Sequence, residues 1–125
     1  MNNIEEKLKE IDTENFIWVI YIGIIILSYY SNYLEKNYFL YHDIKSKQEY
    51  RKIIIFIFSV LIIVYFYFLN SSLDDVRNIT PNDPRYKNNL IMLSFIGSLL
   101  IFISGLIFLY IAFKDENLDV ELAFN

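Results

Sequence analysis

Three long stretches of this sequence contain no charged residue and no histidine, and they decide what the chain can fold into. The stretches are Phe16 to Leu34, Ile53 to Leu69 and Leu90 to Phe113. An α-helix needs about 20 mostly apolar residues to cross roughly 30 Å of hydrocarbon, and all three stretches fall in or near that range. Helices satisfy their backbone groups within one segment, whereas three strands cannot close a barrel in lipid. The sequence therefore predicts an all-α integral membrane protein with three transmembrane helices.

Composition excludes the main alternatives. The chain has 125 residues, 55% of them hydrophobic, and its 11 basic and 15 acidic residues lie between and outside the three stretches. A soluble domain or a disordered tail is less apolar than this. Cysteine is absent, which excludes a secreted disulfide-stapled domain. The segment before the first stretch is net acidic, unlike the basic start of a signal peptide, so we expect the first span to be retained.

The predicted spans divide the chain into seven segments. These are an acidic N-terminal tail or short amphipathic helix (1–15), transmembrane helix 1 (16–34), a basic loop (35–52), transmembrane helix 2 (53–69), a polar loop (70–89), transmembrane helix 3 (90–113) and an acidic C-terminal tail (114–125). In the first segment Ile4, Leu8 and Ile11 follow the i, i+4, i+7 spacing of an amphipathic helix lying on the membrane surface. A frayed tail is the alternative.

Cap signals predict helical extensions beyond the membrane. The basic loop has no Gly or Pro, so the first helix can run past the surface towards Asp43. Ser46-Lys47-Gln48-Glu49 has the pattern of a capping box, which predicts Ser46 as the N-cap of the second helix. Thr80-Pro81-Asn82-Asp83 and Asp83-Pro84 both have an N-cap residue followed by proline, which favours the first position of a helix.

The distribution of Lys and Arg favours one orientation. The two sides carry nearly equal numbers, but the basic loop alone holds Lys36, Lys45, Lys47, Arg51 and Lys52. Because short loops rich in Lys and Arg stay in the cytoplasm, we expect the N-terminus outside and the C-terminus inside. The abundance of Ile, Asn, Lys, Tyr and Phe is typical of an AT-rich bacterial genome, so the expected location is a bacterial plasma membrane.

Small residues on the third helix predict a packing face. At about 100° per residue, five of them share an arc of roughly 120°. They are Ser94, Gly97, Ser98, Ser104 and Gly105. In lipid, close approach of small residues drives helices together. The face can pack within the chain, with Gly23 of the first helix as its match, or against another protomer or partner. The second helix is bulky apart from Ser59, so we expect it at the lipid-facing edge.

The sequence offers no constellation for chemistry. It has no cysteine, one histidine (His42) and no glycine in any loop, which argues against thiolate, metal and phosphate sites. Proton relays and ion-coupled carriers place charges inside their spans, and these spans have none. We therefore expect no enzyme activity, no cofactor or metal, no nucleic-acid partner and no small-molecule substrate. Three helices enclose little volume, so function is expected to require assembly.

The C-terminal tail has an alternating pattern. Apolar and acidic residues alternate through Leu118-Asp119-Val120-Glu121-Leu122, and Phe124 follows. Such alternation is typical of an extended strand, and Leu118, Val120, Leu122 and Phe124 would then form a docking motif for a partner. A disordered tail or one lying on the membrane is the alternative.

Two functions fit these features. The first is a multi-pass, non-catalytic accessory, regulatory or self-assembling subunit in the lipid bilayer. It would act through helix–helix contacts with copies of itself or with a larger membrane protein. The second is an oligomeric channel or membrane-permeabilising protein. Three spans with the N-terminus outside and the C-terminus inside resemble the architecture of class I phage holins, although the segment Lys114 to Asn125 is acidic where such holins usually have a basic tail.

Overall fold

The fold consists of three long α-helices, given by a computed structural model that describes residues 2–122. They are α1 (Asn2–Tyr41), α2 (Ile44–Arg77) and α3 (Arg85–Lys114), and no strand occurs in the described range. Their 40, 34 and 30 residues correspond to lengths of about 60, 51 and 45 Å at 1.5 Å per residue. Each is long and apolar enough to cross a membrane, and each extends beyond its uncharged stretch. The predicted fold class is confirmed.

The chain divides into two compact units. Met1–Ile54 holds α1 and the start of α2, and Ile55–Asn125 holds the rest of α2 together with α3. In the second unit the aromatic pairs Phe58–Phe108 and Phe66–Phe102 each have ring centroids 5.8 Å apart. From the first pair to the second, the residue number rises on α2 and falls on α3. The two helices are therefore antiparallel and form a hairpin.

The N-terminal segment is part of α1. The helix is continuous from Asn2 through the first span, and the described side chains of residues 3–16 are exposed. No Gly or Pro occurs in this segment, so nothing interrupts the helix before it enters the span. The segment predicted as a tail or a short amphipathic helix is therefore helical and forms one helix with the first span.

A two-residue junction connects α1 to α2. The N–H of His42 donates to the carbonyl of Tyr38 at 2.8 Å, with His42 in the left-handed region (φ 54°), a frequent way for a helix to end. Asp43 then caps α2, because its carboxylate accepts from the N–H of Lys45 at 3.1 Å and from the hydroxyl of Ser46 at 2.8 Å. The expected run of the first helix towards Asp43 is confirmed. Ser46 was the wrong N-cap, since its hydroxyl serves as a donor to Asp43.

The loop between α2 and α3 is closed by Asp83. Its carboxylate accepts from the N–H of Thr80 at 3.0 Å and lies 3.4 Å from Nζ of Lys87, while its own N–H donates to the carbonyl of Thr80 at 3.1 Å. The bond from the Thr80 N–H is the main cause that lowers the pKa of the Asp83 carboxyl. With this carboxylate turned into the loop, Pro84 becomes the N-cap of α3 (φ −58°, ψ 143°) without a side-chain hydrogen bond. The expected cap at Asp83 was therefore one residue early.

The most buried helix is α2. In its apolar window 28% of residues are buried, against 11% for α1 and 6% for α3. The largest fully buried apolar side chains also lie on α2, namely Ile54, Ile57, Phe58 and Leu61. The expectation that α2 lies at the lipid-facing edge was wrong. Large side chains on α2 fill the space that a small residue on α3 leaves open, as Tyr65 and Ile62 do beside Gly105.

Candidate helix-packing site

α2 approaches the backbone of α3 closely at Gly105. A Cβ atom added at this buried glycine would lie 3.1 Å from Cδ2 of Tyr65 and 3.3 Å from Cγ1 of Ile62. Both distances are shorter than ordinary van der Waals contact. Glycine at this position therefore lets the Tyr65 ring rest against the backbone of α3, which is the role that small residues have in membrane helix packing.

A hydrogen bond joins the same two helices further along. The hydroxyl oxygens of Ser72 on α2 and Ser98 on α3 are 2.9 Å apart, and either can donate to the other. Ser72 is buried and Ser98 is half-buried. Each hydroxyl satisfies the other where water is scarce, so the pair fixes the register of the hairpin as well as adding to its stability.

Sequence reasoning missed Ala112, which is buried on the same face of α3. Ser98, Gly105 and Ala112 are spaced by seven residues, the repeat that keeps one face of a helix against a neighbour. The spacing was visible in the sequence. Alanine is common throughout transmembrane helices, however, so only the repeat with Ser98 and Gly105 distinguishes it.

The predicted small-residue arc is divided by the structure. Ser98 and Gly105 take part in the α2 contact. Ser94 and Ser104 are exposed, and Gly97 is half-buried with no atom within 4 Å of where its Cβ would be. The hydroxyl of Ser104 donates to the carbonyl of Leu100 at 2.8 Å, within its own helix.

Gly23 lies in a similar open position on α1. It is exposed, and no atom lies within 4 Å of the place a Cβ would take. Its expected match with the small-residue face of the third helix stays a prediction. Gly23 and Gly97 are thus two glycines whose lack of a side chain is not explained by a neighbour in residues 2–122.

The C-terminal tail forms a turn, whereas its alternating sequence had suggested an extended strand or a disordered or membrane-lying tail. The carboxylate of Asp115 accepts from the N–H of Asp119 at 3.0 Å and from the N–H of Val120 at 2.7 Å, and Leu118 has a left-handed φ of 57°. Of the predicted docking residues, Leu122 is buried, Leu118 is half-buried and Val120 is exposed. Phe124 lies outside the described residues. The alternation therefore does not produce one apolar strand face between residues 118 and 122.

The packing site consists of van der Waals contacts at Gly105 and a hydrogen bond between Ser72 and Ser98. Residues 2–122 contain no group of three or more His, Asp or Glu side chains placed to hold a metal ion. Comparison of the chain with protein-family models, with curated proteins and with solved structures gives no match.

Proposed function

We propose that this protein is a non-catalytic membrane subunit that acts through helix–helix contacts, as an accessory or regulatory partner of a larger membrane protein or as a self-assembling unit. The main support is the surface of α3. Only 6% of its apolar window is buried, and outside the α2 contact it still presents Ser94, Gly97 and Ser104.

Small and hydroxylated residues are costly choices for a surface that meets only lipid. Acyl chains pack well against Leu, Ile and Phe, whereas Gly removes contact area and adds backbone freedom. Gly97 and Ser104 lie about 100–120° around α3 from Ser98, so they form a separate flank of the helix. A second helix against this flank would regain the lost contact by approaching the backbone closely.

The proposed location is a bacterial plasma membrane with the N-terminus outside and the C-terminus in the cytoplasm. The concentration of Lys and Arg between α1 and α2 supports this orientation. The chain has no native cysteine, so single cysteines replacing exposed His42 and exposed Asn82 report the two loops separately. A membrane-impermeant thiol reagent should label Asn82→Cys in intact cells and His42→Cys only after permeabilisation, and the reverse pattern would invert the proposed orientation.

The mass of the complex, extracted gently in native lipid with every co-purifying chain identified, tests the function. A stoichiometric foreign chain makes the protein an accessory subunit, and a homo-oligomer makes it a self-assembling one. A monomer without partners contradicts both forms of the proposal.

Gly97→Leu should break the association, because no neighbouring part of the chain lies against Gly97 and a partner helix is expected there. Ile107→Leu, an equally apolar change at an exposed site on α3, is the matched control.

A second candidate function is an oligomeric channel or permeabilising assembly of the holin kind. The exposed hydroxyls of Ser94 and Ser104 favour it, because serines turned towards a common axis can line a polar pore. Leakage of dye from vesicles separates the two functions. Leakage that increases steeply with protein density supports a pore, and vesicles that stay sealed at high density exclude one.

A further inference from the structure

The first four turns of α1 form a helix that stands clear of the predicted span. Residues 2–15, named here the α1 extension, continue α1 by about 20 Å at 1.5 Å per residue. Its apolar side chains Ile4, Leu8 and Ile11 are 66%, 56% and 41% exposed. They lie outside the uncharged span, and the described part of the protein leaves them exposed. In water, association that buries such side chains is favourable.

These side chains follow the spacing of a coiled coil. Ile4, Leu8, Ile11 and Asn15 are separated by four, three and four residues, which places them at successive d, a, d and a positions of a heptad. The same spacing continues into the span through Trp18, Ile22 and Ile25, which are also exposed. The stripe is therefore a continuous feature of α1.

The stripe faces away from the buried side of α1. Ile17, Ile24 and Ser31 are buried and mark that side at seven-residue spacing. At about 100° per residue, the centre of the stripe in the α1 extension lies about 170° around the helix from them. A partner can approach the stripe without disturbing the buried side of α1.

We propose that the α1 extensions of two copies of this chain pair through this stripe as a parallel two-stranded coiled coil. The proposal rests on the self-assembly in the proposed function and adds a second contact between copies to the one proposed on α3. Charge favours a second copy. In a parallel pair the g position of one helix faces the following e position of its neighbour, so Lys7 of each copy faces Asp12 of the other.

Asn15 supports the same geometry. It occupies an a position directly before the span. A single Asn at an a position specifies a fixed register and two parallel strands, because the two amides can hydrogen-bond only when the helices align. Identical membrane topology also makes neighbouring copies parallel.

Two properties of the chain compensate for the short length of the stripe. The α1 extension is continuous with the spanning helix, so it needs no separate nucleation. Anchoring in one membrane raises the effective concentration of one extension near another. An anionic lipid surface is a poorer cover for the stripe, since residues 2–15 contain five acidic and two basic side chains.

Cysteine scanning tests the pairing in the full-length protein in its native membrane. We expect Leu8→Cys and Ile11→Cys to form disulfide-linked dimers on mild oxidation. The matched controls Lys9→Cys and Thr13→Cys lie at outward b and f positions and should remain largely uncrosslinked. Equal dimer formation at all four positions would indicate random collision and would overturn the proposal. If neither Leu8→Cys nor Ile11→Cys formed a disulfide-linked dimer, the proposal would be overturned too. The same holds if Leu8→Cys cross-linked only to a foreign chain.

Charge exchange is the second test, in the Leu8→Cys background. In the pair, residue 7 of each copy faces residue 12 of the other, so Lys7→Glu and Asp12→Lys each create two contacts between like charges. Each variant should lower the cross-linked fraction at limiting oxidation roughly threefold or more. The double variant restores opposite charges and should recover the original fraction. If the cross-linked fraction of the double variant fell by as much as the two single changes combined, this would contradict a parallel pairing of Lys7 with Asp12.

The mass of the same extracted complexes separates failure of this inference from failure of the proposed function. An oligomer that persists without preferential cross-linking at Leu8 and Ile11 overturns the coiled coil and leaves the proposed function standing. A monomer without any partner chain overturns both.

Discussion

The hydroxyl oxygens of Ser72 and Ser98 lie 2.9 Å apart and connect α2 to α3 within the second unit. Interhelical hydrogen bonds in membrane proteins contribute about 0.6 kcal/mol on average. Ser72→Ala and Ser98→Ala should each lower the free energy of unfolding. The double variant should cost less than the two single variants together, because each single change leaves one hydroxyl without its partner. Unfolding of all four proteins in detergent micelles measures the coupling energy, and a value of zero would show that the two hydroxyls do not interact.

Gly105 and Gly97 provide a matched pair for separating folding from assembly. Leucine at Gly105 meets Tyr65 and Ile62 at less than contact distance, so Gly105→Leu should destabilise the hairpin by about 1–3 kcal/mol through overpacking. A Cβ atom at Gly97 would have no neighbour within 4 Å apart from its own stretch of helix, so Gly97→Leu should leave the free energy of unfolding of the extracted monomer nearly unchanged.

The measurement for both glycines is chemical unfolding followed by Trp18 fluorescence, with the oligomeric mass recorded in parallel. Equal loss of stability in the two variants would mean that Gly97 also packs inside the chain.

The spans could be predicted because a run of about 20 mostly apolar residues without charge favours hydrocarbon over water, and Phe16 to Leu34 is such a run. Inside such a span the sequence does not say which side meets protein, because lipid and protein interior are equally apolar. The burial of Ile57 and Phe58 on α2 was missed for this reason. Gly105 contacts α2 and Gly97 does not. Which residue of the arc makes the contact depends on where α2 crosses α3, and the sequence of α3 does not contain that information.

The junction residues show a different limit of sequence reasoning. Ser46 and Asp43 are both favourable N-caps, so their residue types alone did not decide between them. The left-handed conformation of His42 ends α1 and places Asp43 directly before the first turn of α2. Local geometry therefore selected the earlier cap, and Ser46 became its hydrogen-bond donor.

Ser46 should control the titration of Asp43. The hydrogen bond from the Ser46 hydroxyl is the main cause that holds the pKa of the Asp43 carboxyl below its ordinary value. In Ser46→Ala the pKa of Asp43 should therefore rise towards that value. Carbon-detected NMR of the Asp43 carboxyl across an acid titration measures it, with Ser59→Ala as a control, because Ser59 bonds to the carbonyl of Ile55. An unchanged pKa in Ser46→Ala would contradict the assigned cap.

The sign of the resulting pH dependence follows from that shift. A carboxyl with a pKa lower in the folded than in the unfolded protein contributes stability above its unfolded pKa. This contribution is lost as the pH falls through the folded pKa. Acidification below pH ~4 should therefore weaken the start of α2 in the natural protein, and Ser46→Ala should show less of this dependence. Amide hydrogen exchange of Lys45 and Lys47 as a function of pH reports the effect at the cap itself.

Asp115 should hold the C-terminal turn in place. Its two carboxylate oxygens accept from the N–H groups of Asp119 and Val120, so Asp115→Ala removes both acceptors at once. We expect hydrogen exchange of these two amides to accelerate several-fold or more, because they then depend on water alone for a partner. Glu116→Ala, the neighbouring acidic residue, is the control for the lost charge. If the two variants exchange alike, the turn is not maintained by Asp115. If only Asp115→Ala accelerates, this one carboxylate keeps Leu118, Val120 and Leu122 out of an extended strand, which explains why an alternating sequence at this position does not form one.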